Sequence, residues 1–314
     1  MIWSYSSART FTGCQRQWYF KNIVADARAA DGLAREAYLL SKLQSIHAWR
    51  GYIVDKIISD QIIGALNRNS PISLRDILNH AHSVFNQQLA FGRENRIRRH
   101  DVALYSPQFA AFRDVDYGGS VSDEAATEAW KEVETALRKL FKMDELRALI
   151  KKAAFRIPQH KFQFKIDETF VLSFADLVLL FDAEAPVIID WKVHHFANTD
   201  NRQQLALYAL GLTRHHAASK SKMSGLVTKW KPTEIRLLEA QLLTGEPREY
   251  TLDEDDIADI EAYIAATSSE MQLLTEPEDG ETLDIEDFAV TQYPKRCETC
   301  QFTKICWRTP DVGA

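Results

Sequence analysis

Cys14, Cys297, Cys300 and Cys306 are the only cysteines in the chain. Three of them form a Cys-x2-Cys-x5-Cys run whose sulfurs can reach one centre, and Cys14 can complete the set from the other end of the sequence. Thiolates are soft ligands, and sulfur-only tetrahedral coordination points to zinc or an iron–sulfur cluster. Zinc more often takes two close cysteine pairs. The one-plus-three split therefore favours a [4Fe–4S] cluster. Four unconnected thiols are the alternative, since free cysteine often fills a small core position. Lys295, Arg296, Glu298, Gln301 and Lys304, which surround the last three, are not a core sequence.

A second constellation lies mid-chain. Asp190 and Lys192 are two residues apart in Val187-Ile-Ile-Asp-Trp-Lys-Val193, and Asp176 opens the preceding apolar run, Asp176-Leu-Val-Leu-Leu-Phe181. Strand alternation puts Asp190 and Lys192 on one face and Ile189 and Trp191 on the other. Between the runs, Asp182-Ala-Glu-Ala-Pro186 suits a turn. With the turn centred on 183–185, Phe181 faces Val187 and Asp176 faces Lys192. Asp176 is then diagonal to Asp190, roughly 7–8 Å away. Two carboxylates and an ammonium converging on an apolar hairpin are costly unless partnered. A hard divalent ion with oxygen ligands resolves that cost, and Lys192 would then serve an attacking water or a charged transition state. A salt bridge on a solvated strand is the plainer alternative for so short a triplet.

The elements around these residues read as follows. Leu39, Leu40, Leu43, Ile46, Trp49, Ile53, Ile57 and Ile58 recur at helical spacing, which predicts one long helix over 33–63. Trp130, Val133, Leu137, Leu140 and Phe141 predict a second over 122–153. Phe162, Phe164 and Ile166 alternate with Lys161, Gln163 and Lys165, the pattern of a half-buried strand. A helix over 201–212 stopped by Gly211, a strand over 235–239 and a helix over 254–274 follow. An acidic stretch at 275–290 containing Pro277 and Gly280 reads as a linker. The expected segments are 1–30 with the first cysteine, a helical region 31–155, a core 156–275 and the cysteine tail 276–314.

The composition, 46% hydrophobic and 26% charged, is that of a globular protein. No apolar run is long enough for a membrane helix and the N-terminus has no signal-peptide pattern, so a cytoplasmic location with no membrane partner is expected. A net charge of −6 argues against a bulk electrostatic DNA coat but leaves room for a local basic groove. The dense basic cluster is Gly92-Arg-Glu-Asn-Arg-Ile-Arg-Arg-His100, which equally suits a solvated surface.

Asp176, then Asp190-Trp-Lys192, then Gln204-Leu-Ala-Leu-Tyr208 together resemble the PD-(D/E)XK nuclease core of RecB type with its Gln-x3-Tyr helix. Cys14 with Cys297, Cys300 and Cys306 resembles the iron–sulfur staple of AddB and of CRISPR-associated RecB-like exonucleases. The resemblance implies an α/β fold, a mixed central sheet flanked by helices, with a helical insertion and a cysteine-ligated cluster joining the termini. It also implies Mg²⁺ or Mn²⁺ dependence and cleavage of DNA, commonly single-stranded and from an end. By the same resemblance Asp176 and Asp190 are metal ligands and Lys192 is the catalytic lysine. Gln204 and Tyr208 orient that lysine or contact DNA, and Glu168 matches an acid on the preceding strand. Family members carry a histidine ligand in Gly-x-x-Val-His, whereas here the stretch is Gly51-Tyr-Ile-Val54-Asp55. Asp55 is then the third metal ligand, or the mark of lost activity.

The leading expectation is therefore a metal-dependent deoxyribonuclease with a structural [4Fe–4S] cluster, in repair, recombination or defence, with helicase or CRISPR proteins as possible partners. Arg16, Lys295, Arg296, Lys304 and Arg308 would track the DNA backbone near the cluster, and Trp18 and Tyr19 would stack on bases. The alternatives are a catalytically impaired DNA-binding or scaffold subunit, and a zinc-stapled interaction domain.

Overall fold

The computed structural model describes residues 2–97, 104, 106–193, 201–217, 222–276 and 283–306. Arg98, Arg99, His100, Pro277, Gly280 and Arg308 fall outside them. The chain forms two compact units interleaved in sequence. The first holds Met1–Ile2, Ile46–Gln87 and Ser122–Ala265, and the second holds Trp3–Ser45, Gln88–Val121 and Ala266–Ala314. This division differs from the four consecutive segments expected. No helix among the described residues is long and apolar enough to cross a membrane.

The first unit is built on a mixed sheet. Its strands are the short β1 (Ile2–Trp3), β2 (Phe155–Ile166), β3 (Thr169–Leu180), β4 (Val187–Lys192), β5 (Arg236–Gln241) and β6 (Glu246–Tyr250). The order is β1-β3-β4-β5-β6, with β2 pairing to β3. Only β4 and β5 are parallel among the paired registers given by the described strands. β4 is buried on both faces, as befits a β-branched run with a parallel neighbour. β2 is longer than its clean alternation, and β6 was not foreseen, because Glu246-Pro-Arg-Glu-Tyr250 has too few apolar residues to register as a strand.

Helices cover both faces. Arg202–Ala217 runs past Gly211 rather than stopping there. A Cβ at Gly211 would lie 3.1 Å from side-chain atoms of Phe162 and Phe164, so this glycine lets the helix approach β2 closely. On the opposite face lies Ile46–Lys56, continued by a π-helical stretch, Ile57–Ile63. The expected 33–63 helix is broken between Gly32–Leu40 and Ile46–Lys56. There Gln44 leaves helical pairing to bond Ala111 and Arg113 through its backbone (2.9 and 3.0 Å). The 122–153 helix likewise divides at Met143 into Asp123–Lys142 and Asp144–Lys152.

Ile46–Lys56 packs on Asp123–Lys142, with Trp49 and Trp130 both against Phe85 (ring centroids 4.6 and 5.4 Å). Within this apolar contact the buried Arg50 pairs with Glu132 and donates to the Val193 carbonyl (3.1 Å), the residue after Lys192. Breaking a buried ion pair by removing one partner typically costs 3–5 kcal/mol. Glu132→Ala should therefore lower the unfolding free energy by about 3 kcal/mol, the lower end because the Val193 and His47 contacts of Arg50 persist. A urea titration with a reduced midpoint and unchanged slope checks this.

In the second unit, Phe20, Leu40, Ile97, Phe302 and Ile305 share one buried cluster. Phe20 stacks on Phe302 at 5.7 Å. Trp18 is also buried, its indole N–H bonded to Ser7 Oγ (2.8 Å), and Tyr19 stacks on Phe288 at 4.3 Å. Trp18 is a core residue, which corrects the expectation that it meets bases, whereas Tyr19 is partly buried against Phe288.

Candidate active site

Strand alternation sets the site. Along β3, Val171, Ser173, Ala175 and Leu177 point to the buried side, where Arg202–Ala217 packs through Tyr208 and Gly211. Asp176 belongs to the other face. β3 pairs with β4 as Leu177↔Ile189 and Val178↔Ile188, so Asp176 and Asp190 are the residues one step beyond the last paired ones, and the same register carried one step further sets them across from each other. The sequence register was off by two residues. The connection occupies 181–186, where Pro186 has no N–H to extend the ladder, and pairing ends at Leu179↔Val187. Residues facing each other across antiparallel strands sit closer than diagonal ones, at roughly 4.5–5.5 Å between Cβ atoms.

Each side chain is held. Asp176 Oδ2 accepts from the Trp191 backbone N–H (2.8 Å). Asp190 is buried and forms an ion pair with the partly buried Lys192. Asp55 comes from the last turn of Ile46–Lys56, just before the π-helical stretch, a distortion often found at functional sites. Gln159 joins the acids: its Nε2 donates to Asp55 Oδ1 (2.8 Å) and Asp176 Oδ1 (3.4 Å).

Gln159 was missed by sequence reasoning. It has φ 48°, a left-handed conformation costly for a side-chain-bearing residue, and stands opposite Asp176 between the Pro158↔Leu177 and His160↔Ala175 pairs. The only trace in the sequence is that Pro158 interrupts the alternation. Glu168 sits at the exposed tip joining β2 to β3, with its side chain 96% exposed, and takes no part. Gln204 and Tyr208 bond each other (2.6 Å), and Tyr208 lies against Phe162 on the sheet face opposite Asp176.

Burial pushes the Asp176 carboxyl up to about 8, with the Asp190 and Asp55 charges adding and the Trp191 N–H and Lys192 opposing. Asp55 is raised to about 6, chiefly by burial, against hydrogen bonds from Gln159 and Ser59. Carboxylates crowded enough to disfavour each other's ionisation form a ready seat for a cation. The donors are all oxygens, which suits Mg²⁺ or Mn²⁺. Among the described residues no set of three or more His, Cys, Asp or Glu is closed around a preformed metal position. Here the acids lean instead on Gln159, Trp191 and Lys192.

The four cysteines meet in the second unit. They line one small cavity together with Phe20, Phe302 and Thr303. Cys14 Sγ accepts from the Gln17 N–H and Cys300 Sγ from the Phe302 N–H, both at 3.4 Å. Burial raises the Cys300 thiol and pushes Cys306 up to about 11, with the neighbouring cysteines adding. A soft metal centre would have to displace those protons. Arg16 is buried and paired with Glu286, and Lys304 is paired with Asp116, so neither is a free cation for DNA.

Fold and site thus define an α/β protein with an acidic, lysine-containing centre at the meeting of two antiparallel strands. A family model described as the PD-(D/E)XK nuclease superfamily matches residues 2–307, and the chain belongs to that superfamily. No curated protein matches it. Two solved structures share general features. One is the crystal structure of a protein named "Putative exonuclease" from Eubacterium rectale, with 9% identity, TM-score 0.38, covering 90% of this chain and 91% of that one. The other is the crystal structure of SSO0001, with 14% identity, TM-score 0.29, covering 59% and 78%. Likeness at these scores carries no functional weight.

Proposed function

We propose that this chain is a Mg²⁺- or Mn²⁺-dependent nuclease that hydrolyses DNA phosphodiesters, acting on single strands from an end, with a structural [4Fe–4S] cluster on Cys14, Cys297, Cys300 and Cys306. The reading rests on one observation above all. Asp176 and Asp190 adjoin the last paired residues of two adjacent strands and feel each other's charge, with Lys192 paired to Asp190 and Asp55 joined through Gln159. A divalent ion held by the three aspartates would supply Lewis-acid stabilisation of the phosphate and lower the pKa of bound water. Lys192 keeps a cationic donor at the edge of the acidic cluster, where charge develops on phosphate oxygens. The Trp191 N–H fixes the Asp176 carboxylate, and Gln159 holds Asp55 at its side. The engagement of Asp55 in this cluster favours an active enzyme over an impaired scaffold subunit. Repair, recombination or defence, with a helicase or CRISPR partner, is the setting the cysteine pattern suggests.

Purified anaerobically, the protein should shorten end-labelled single-stranded DNA in Mn²⁺ or Mg²⁺ and stop on chelation. Absence of cleavage with either ion, on single- and double-stranded substrates, would overturn the reading.

A further inference from the structure

The sheet face that carries Asp176 continues beyond the site as an open shelf. At Val178 this face is fully covered, and two residues earlier Asp176 is partly exposed. Phe174 is 47% exposed and Phe170 54%, although both are large apolar side chains on a regular strand. Leu172 lies between them on the same face. Across the ladder stand Lys161 opposite Phe174, Gln163 opposite Leu172 and Lys165 opposite Phe170. All three are exposed. Lys165 also lies over the Phe170 ring at 4.4 Å.

Exposed phenylalanines in an aligned row call for a partner. The lysines restrict what it can be. An apolar peptide would strand them, and an aliphatic ligand would leave them unused. A strand of bases on a phosphate backbone uses both, since bases stack on any aromatic face and the lysines meet phosphates. The row runs on to Asp176, roughly 20 Å from Phe170 at about 3.3 Å per residue. Glu168, within 4.0 Å of Lys165, repels phosphate beyond the hairpin tip and so marks the outer end.

We infer that Lys161, Gln163, Lys165, Phe170, Leu172 and Phe174 form the track on which single-stranded nucleic acid lies as it enters the acidic centre. The inference rests on the nuclease reading and adds a binding surface to it. It also explains a preference for single strands, because a paired duplex keeps its bases from the phenylalanines.

The test uses fluorescein-labelled oligo-dT of twelve nucleotides, with anisotropy measured on the full-length protein in EDTA so that cleavage does not compete. Phe170→Ala/Phe174→Ala should weaken binding at least about tenfold, given stacking energies on the order of 1–3 kcal/mol per base. Lys161→Ala/Lys165→Ala should reduce the log–log salt slope by about 1.4, roughly 0.7 for each phosphate contact on a single strand. Circular dichroism should be unchanged, because the substituted side chains are exposed. Unchanged affinity and salt slope in both variants would overturn the track. So would self-association that Phe170→Ala/Phe174→Ala abolishes without touching oligonucleotide affinity, which assigns the shelf to a second copy. If the wild type fails to cleave in Mn²⁺, the nuclease reading falls while anisotropy still decides the track. If cleavage holds and anisotropy does not move, the track alone falls.

Discussion

Lys192→Met and Asp190→Asn should each reduce the rate of the proposed DNA cleavage by on the order of 10²–10⁴-fold while leaving the fold in place. Methionine keeps the length of the lysine stem and removes only the charge, so packing beside Trp191 is retained. Its loss leaves the Asp55, Asp176 and Asp190 carboxylates without the lysine charge that pairs with Asp190 and opposes the rise at Asp176. Asparagine at 190 keeps the shape and a carbonyl oxygen but removes a negative charge opposite Asp176, which weakens the hold on a divalent ion. The two variants should therefore differ in kind. Asp190→Asn should raise the Mn²⁺ concentration needed for half-maximal activity, and Lys192→Met should lower the maximal rate at saturating Mn²⁺. Rates equal to wild type in both variants, with circular dichroism unchanged, would remove the catalytic role of this pair.

Cys300→Ser should abolish iron and acid-labile sulfide together and destabilise the second unit more than any single packing change. Structural metal binding is folding free energy, on the order of 10 kcal/mol for zinc in small domains. Cys300 is the cysteine best placed to show it, since it lies in the middle of the run, is partly buried, and takes a backbone N–H on its sulfur. Anaerobic wild-type protein should be brown, and thermal melting should fall when the cluster is lost. Stoichiometric zinc without iron in the wild type would replace the cluster with a tetrahedral zinc staple. Metal-free protein that melts unchanged after Cys300→Ser would leave four ordinary thiols.

The hairpin of β3 and β4 was legible because its signals are local. An apolar run that begins at Asp176 and another broken only by Asp190 and Lys192 can pair in few ways, and even a two-residue error left the two acids neighbours. The four cysteines do line one cavity, as their types suggested, although among the described residues no three of them are set to hold a metal. Other features depend on contacts the chain makes with distant parts of itself. Nothing near Leu43 announces that Gln44 will bond to Ala111, so the break in the long helix was invisible. Gly211 looked like a helix stop because its real reason, the approach of Phe162 and Phe164, lies some fifty residues earlier. Gln159 is ordinary in the sequence and exceptional in its backbone conformation, which only its position opposite Asp176 explains. Trp18 shows the converse: an aromatic beside basic residues suggested a ligand, and the core claimed it.

β2 borders only β3 among the described strands, so its other edge is free of strand pairing. Such an edge invites other chains to add a strand, and proteins blunt it with lysine and proline. Pro158, Lys161 and Lys165 lie along it, and the His215 ring, 3.3 Å from the Gln163 N–H and 3.2 Å from its carbonyl oxygen, plugs the middle. The same lysines therefore guard against aggregation, and stripping them would make the purified protein prone to edge-to-edge sticking.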